Sequence, residues 1–214
     1  MFTGIVQAIG TVTNVESRAG DWRLTIELPD FDLSGYRAGE SICVNGVCLT
    51  AVNLDTHAFT ADVSTETMNV TALGALQVGS KVNIEPSLAL GDRLGGHLVS
   101  GHVDCVGTVV SRKHDARSLR FKVEIPAEFA RFVARKGSVA VDGVSLTINQ
   151  VSAATIELNI IPHTAESTIM DEYRAGTRVN IEVDVVARYI ERMLSYADNG
   201  GISMETLREY GYAK

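Results

Sequence analysis

The sequence predicts an all-β protein made of two tandem, homologous six-stranded barrels and a C-terminal α-helix. Three observations predict it. First, Asn45-Gly46-Val47-Cys48-Leu49-Thr50 returns as Asp142-Gly143-Val144-Ser145-Leu146-Thr147, at the 97-residue spacing that separates Cys48 from Ser145. The same spacing aligns Gly4, Val6 and Gly10 with Gly101, Val103 and Gly107, and residues 79–85 with 176–182, without a gap. A match that keeps register through strands and turns alike is a duplicated domain. Second, each copy reads as short segments of period two punctuated by glycine. Third, an apolar stripe of helical period follows the second copy and has no counterpart after the first.

In the first copy the segments expected as strands are about 4–13, 22–28, 41–45, 47–53, 58–63 and 80–85. Leu24, Ile26 and Leu28 alternate with Thr25 and Glu27 before Pro29, and Phe59, Ala61 and Val63 alternate likewise. Six short strands in about 90 residues are best accommodated by closure, which leaves no edge exposed. Thr65 to Leu76 reads as a short helix ahead of the last strand. The second copy repeats the pattern through Leu119–Ile125, Ile156–Ile160 and Val179–Val185, with a helical turn near Glu128–Ala134. Beyond it, Val186, Tyr189, Ile190, Met193 and Leu194 recur at three- and four-residue spacing, and Asn199-Gly200-Gly201 stops the helix. A second short helix is expected from about Met204 to Tyr210. The stripe has two readings, packing on its own barrel or joining subunits. The domains are accordingly placed at 1–97, 98–186 and 187–214.

Composition narrows the function. The 214 residues carry a formal net charge of −7, which disfavours a general nucleic-acid binder. No apolar run reaches the roughly 18 residues of a membrane span, and residues 1–4 lead straight into a strand-like pattern without a signal core. Three cysteines, at 43, 48 and 105, form neither a disulfide framework nor a zinc motif. A cytoplasmic protein with reduced thiols is expected.

The repeated hexapeptide places Cys48 and Thr50 on one strand face, as it does Ser145 and Thr147. Such a strip reads either as a structural hydroxyl ladder or as a bed for a flat heteroaromatic ligand. His97 and His102, with Asp104, raise metal binding, but no third ligand has recognisable spacing and none is assigned. The copies differ where chemistry matters: Ile5 against His102, Glu66 against His163, and Ser87 against Asp184. Two pockets that take similar ligands and use them differently would show such contrasts.

The chain resembles the riboflavin synthase family. The resemblance is carried by residues 1–6, 45–50, 95–103, 142–147, 161–164 and 179–184, and runs from Met1 to about Met193. It implies Greek-key topology for both barrels, a homotrimer assembled through the C-terminal helix, and a transferase without metal or cofactor. The implied substrate is 6,7-dimethyl-8-ribityllumazine. One molecule gives four carbons to another, yielding riboflavin and 5-amino-6-(D-ribitylamino)uracil. Association with lumazine synthase is left open.

Residue by residue, the resemblance implies lumazine contacts in the first barrel from Gly4, Ile5 and Val6, from Cys48, Leu49 and Thr50, and from Asp62, Val63, Ser64, Thr65, Glu66 and Thr67. In the second barrel it implies Gly101, His102 and Val103, Lys136, Ser145, Leu146 and Thr147, and Asn159, Ile160, Ile161, Pro162, His163 and Thr164. Catalytic roles fall on Phe2, Ser41, Cys48, His102, Ser145, Thr147 and Asp184. His102, Ser145 and Thr147 are expected together on the proton-handling side, with Cys48 and Ser41 on the other ring. Two other classes are weighed. A non-catalytic lumazine or flavin carrier is disfavoured by the intact Ser145, Thr147 and His102. A flavin reductase would need a nicotinamide domain, and no Gly-x-Gly-x-x-Gly follows a strand.

Overall fold

The computed structural model describes residues 1–198 and 208–211. In the first copy the strands are β1 (Ala8–Arg18), β2 (Asp21–Glu27), β3 (Ser41–Val44), β4 (Val47–Asp55), β5 (Ala58–Val63) and β6 (Lys81–Pro86). In the second they are β7 (Cys105–Asp115), β8 (Ser118–Glu124), β9 (Ser138–Val141), β10 (Val144–Ser152), β11 (Thr155–Ile160) and β12 (Arg178–Val183). Each set closes into a barrel, the first in the order β1-β2-β5-β4-β3-β6 and the second in the equivalent order. The long β2–β3 connection, which carries the chain past two neighbours, makes the arrangement a Greek key. Helices α1 (Thr65–Val70) and α2 (Pro162–Glu166) precede the last strand of each copy. Helix α3 (Val185–Asp198) follows the second barrel.

Alternation decides which side chains fill the barrels. Leu24, Ile26, Ile42, Phe59 and Ile84 fill the first, and Phe121, Ile148, Ile156, Leu158 and Ile181 the second. Bulges sit at equivalent places, between Val12 and Asn14, Ala51 and Asn53, Val109 and Ser111, and Ile148 and Gln150. Such bulges add the local twist that closure needs.

The barrels meet about a pseudo-twofold axis. Asn83 Nδ2 donates to Asp142 O at 2.9 Å, and Asn180 Nδ2 donates to Asn45 O at 2.7 Å. Their amide oxygens accept from Ile169 N (2.9 Å) and Ala72 N (2.7 Å) across the same seam. The symmetry breaks at Asp142, whose carboxylate accepts from the Tyr173 hydroxyl, because the first copy has Asn45 and Leu76 there.

Two expectations are corrected. The first strand begins at Ala8 rather than near residue 4, because residues 4–6 cross to the other barrel, where Gly4 O accepts from Ser145 N, before Gln7 N returns to Ile84 O of its own. The last strand ends at Val183, since Asp184 caps α3: its carboxylate accepts from Val186 N at 3.0 Å. The helical turn expected near Glu128–Ala134 is present as a 3-10 turn over Ala127–Phe132. The Asn199-Gly200-Gly201 stop lies outside the described residues, as does most of the Met204–Tyr210 helix; Arg208 and Glu209 are helical.

Candidate active site

The segment ahead of each barrel is bonded to the hairpin of the other. Ser145 N donates to Gly4 O at 2.8 Å, and Cys48 N donates to Gly101 O at 2.8 Å. Both glycines hold a left-handed backbone, with φ of 76° and 81°. A Cβ on Gly4 would stand 2.6 Å from Ser145 Cβ, and one on Gly101 would stand 2.5 Å from Cys48 Cβ. No larger residue fits there without moving the strand.

Buried carboxylates hold both crossings. Glu85 accepts from Thr3 N (2.7 Å), Thr3 Oγ1 (2.7 Å) and Gly4 N (3.0 Å). Glu182 accepts from Ser100 N (2.6 Å), Ser100 Oγ (2.8 Å) and Gly101 N (2.9 Å). Burial pushes the Glu85 carboxyl up, and its hydrogen bonds from Thr3 and Gly4 oppose that. Beyond the crossings, Val6 packs on the second barrel's core and Val103 on the first's.

This exchange corrects the grouping of site residues. Gly4, Ile5 and Val6 belong with Ser145, Leu146 and Thr147, and Gly101, His102 and Val103 belong with Cys48, Leu49 and Thr50. His102 therefore does not stand with Ser145 and Thr147. The remaining segments keep their places. Asp62–Thr67 continues from β5, which pairs with β4, and Asn159–Thr164 continues from β11, which pairs with β10.

The first-barrel groove combines Cys48, half-buried, with Ser41 and Thr50, which face each other across β3 and β4. His102, next in the chain to the Gly101 that accepts from Cys48 N, is exposed and lines a cavity with Ser100, Val103, Glu182, Arg188 and Tyr189. At its rim Ser64 caps α1 by accepting from Thr67 N at 3.1 Å, and Thr65 Oγ1 donates to Gly20 O. Arg23 grips Asp62 through two hydrogen bonds of 2.6 and 2.8 Å. In the second barrel Ile161 occupies the cap position of α2 and makes no side-chain cap, so the two rims differ.

The second-barrel groove has a partner that the sequence reading did not assign. His97 Nδ1 lies 2.7 Å from Ser145 Oγ. The linker reaches Ser145 because Gly96 has no side chain; a Cβ there would stand 2.8 Å from Ser145 Oγ and 2.2 Å from Thr3 O. Burial lowers the His97 pKa, opposed by the charges of Asp184 and Glu182, so the imidazole is held neutral. Among the described residues, His97 Nε2 and Asn159 Oδ1 are buried without a hydrogen-bond partner. Water or a ligand can complete the bonding of such groups. Lys136, at the mouth of β9, holds φ of 69° where the first copy has Gly39 at 96°. A left-handed backbone costs a side chain-bearing residue about 1–2 kcal/mol, and the strain sits beside the groove.

Two expected catalytic residues take other positions. Phe2 is fully buried with Cys43, Val99 and Ala140, and bridges Val99 through backbone hydrogen bonds of 2.8 and 3.1 Å. Its side chain is closed off from solvent within the chain and packs the crossing segment in place, with Cys48 against the same cluster; deleting a buried Phe side chain typically costs about 3–5 kcal/mol. Asp184 caps α3 and adds negative charge near His97.

Residues 3–87 and 100–184 both match the lumazine binding domain model. The riboflavin synthase of Mycobacterium bovis is 48% identical, covering 92% of this chain and 100% of that protein. That of Photobacterium phosphoreum is 40% identical over 99% of both chains, and that of Bacillus subtilis is 38% identical over 92% of both. Among solved structures, LumP complexed with 6,7-dimethyl-8-(1'-D-ribityl) lumazine superposes with a TM-score of 0.77 at 27% identity, covering 86% of this chain and 99% of that one. LumP complexed with riboflavin gives 0.79 at the same identity and coverage.

Proposed function

The chain belongs to the riboflavin synthase family, and from that premise we propose that it converts two molecules of 6,7-dimethyl-8-ribityllumazine into riboflavin and 5-amino-6-(D-ribitylamino)uracil. The single observation that carries this reading is a pair of equivalent hairpin faces, one in each barrel, with one backbone and unlike chemistry. One offers a serine bonded to a neutral buried imidazole, the other a half-buried thiol beside an exposed histidine. A dismutation needs that difference, because identical substrates must take opposite roles.

The chemistry asks little of acid strength. A methyl group on the electron-poor lumazine ring is acidic because its anion delocalises into the ring. One molecule must lose that proton while the other accepts a nucleophile. Holding two flat rings in an attack geometry is worth up to about 7–11 kcal/mol. Ser145, backed by His97, handles protons on one ring, and His102 does so on the other, where Cys48 and Ser41 receive the electrophilic carbon or place a water. A neutral imidazole accepts or passes a proton near pH 7.

The reactive pair forms between subunits of a homotrimer. Thr50 and Thr147 are exposed, so each groove is open on one side within the chain. Helix α3 turns Val186, Tyr189, Ile190, Met193 and Leu194 to solvent, each more than half exposed. Arg188 meanwhile pairs with Asp104, and Arg131 reaches Glu191 at 3.4 Å. The helix is thus tied to its own barrel by charge and presents its apolar stripe outward, where each side chain buried contributes about 1.5–3 kcal/mol. The three cysteines are free thiols, which fits a cytoplasmic setting.

The test is incubation of the purified protein with the lumazine alone, following riboflavin absorbance. Riboflavin is expected to appear with an equal amount of the pyrimidine product. Tight lumazine binding without riboflavin would instead identify a carrier.

A further inference from the structure

The two cysteines of the first barrel oppose each other across a hairpin. Strands β3 and β4 are joined by Asn45-Gly46, both left-handed with φ of 46° and 80°. In such a two-residue turn Val44 and Val47 form the hydrogen-bonded closing pair, so the next pair, Cys43 and Cys48, is not hydrogen-bonded. The Cys48 N–H accordingly donates to Gly101 O, away from β3.

Partners of this kind have Cα atoms about 4.5 Å apart and side chains on one face. That separation lies within the roughly 4.4–6.8 Å that a disulfide spans. Both side chains turn into the seam between the barrels: Cys43 clusters with Phe2, Val99 and Ala140, and Cys48 packs against that cluster. The second hairpin has the same backbone but carries Ala140 opposite Ser145. Two thiols therefore face each other only where one of them borders the first groove.

We propose that Cys43 and Cys48 form a reversible thiol switch, in which oxidation by a peroxide links them and withdraws Cys48 from the groove. Cys48 is the half-buried member and the one a peroxide reaches. Its sulfur attacks a peroxide oxygen, the O–O bond breaks, and a sulfenic acid and one water form. The Cys43 sulfur then attacks the sulfenic sulfur, the S–S bond forms, and a second water leaves. Two thiols and one hydrogen peroxide become one disulfide and two waters. Burial pushes the Cys43 thiol well above its ordinary range, so Cys43 is not the thiol that meets peroxide first; its place opposite Cys48 across the hairpin is what lets it close the bond. Cys105 supplies an internal control: it is buried in the second barrel, with its thiol pushed up to about 12.

The effect on turnover rests on the synthase reading; formation of the bond does not. The full chain is treated with stoichiometric hydrogen peroxide, alkylated, digested and mapped. The peptide carrying Cys43 and Cys48 is expected to lose two hydrogens while Cys105 stays alkylated. Turnover is expected to fall at least tenfold and to return with dithiothreitol. Cys43→Ala, which installs the residue found at 140, is expected to keep its turnover before oxidation. After peroxide, dimedone should trap its Cys48 as the sulfenic acid. Wild-type protein with oxidised Cys48 and freely alkylated Cys43 would overturn the proposal, as would linked protein of unchanged turnover. Protein inactive before oxidation would count against the synthase reading alone, and the peptide map would still decide whether the bond forms.

Discussion

The double substitution His97→Gln and Ser145→Ala is expected to lower kcat by about 10²–10⁴-fold, the usual worth of positioned proton transfer. Lumazine affinity should change only a few-fold. The expectation rests on the 2.7 Å contact between His97 Nδ1 and Ser145 Oγ. Each residue is useful through the other, so the double variant should be little worse than the poorer single one. The pH dependence follows from the lowered His97 pKa. The working form is the neutral imidazole, so kcat should hold at neutral pH and fall on acidification below the ordinary histidine value of about 6.5. That acid limb should be missing in His97→Gln. The same burial makes protonation costly to the fold, so stability should also drop as pH falls through that range. Steady-state kinetics with a direct binding measurement checks this. A double variant that binds poorly but keeps its kcat would contradict the proton-handling role.

Removing the chain from Val186 onward is expected to dissolve the oligomer and to cut turnover by roughly two orders of magnitude or more, because the reacting rings lose their shared frame. The barrels should survive, since among the described residues α3 contributes no side chain to either buried core. Sedimentation should give a monomer with an unchanged β-type circular dichroism spectrum. An intact trimer, or a monomer of full activity, would contradict the role given to the helix.

Much of this architecture was legible in the sequence. The gapless 97-residue repeat gave two barrels, and period two gave strands at about 22–28 and 58–63, which lie within a residue of Asp21–Glu27 and Ala58–Val63. The crossing of residues 4–6 and 101–103 was not legible, for a physical reason. In a duplicated chain, Gly4 beside Cys48 and Gly4 beside Ser145 are equivalent in pattern, and only the three-dimensional seam distinguishes them. His97 escaped assignment because it sits in a glycine-rich linker with no counterpart in the first copy. The signal that finds it is Gly95-Gly96, two residues without side chains directly ahead of a histidine. The resemblance gives Phe2 a catalytic role, while its full burial shows a packing role that no spacing in the sequence reveals. The outward face of α3 was left open by periodicity, because an apolar stripe has the same spacing whichever surface covers it.

The claim that a working site takes its two grooves from different subunits is tested most directly by mixing two damaged enzymes. One carries Cys48→Ala and His102→Gln, which spoil only the first groove; the other carries Ser145→Ala and His97→Gln, which spoil only the second. Each alone should be nearly inactive. Unfolded together and refolded as mixed oligomers, they should regain activity well above the sum of the two, because some interfaces then join an intact first groove from one chain to an intact second groove from its neighbour. Activity no greater than that sum, with mixed oligomers confirmed by mass, would contradict it.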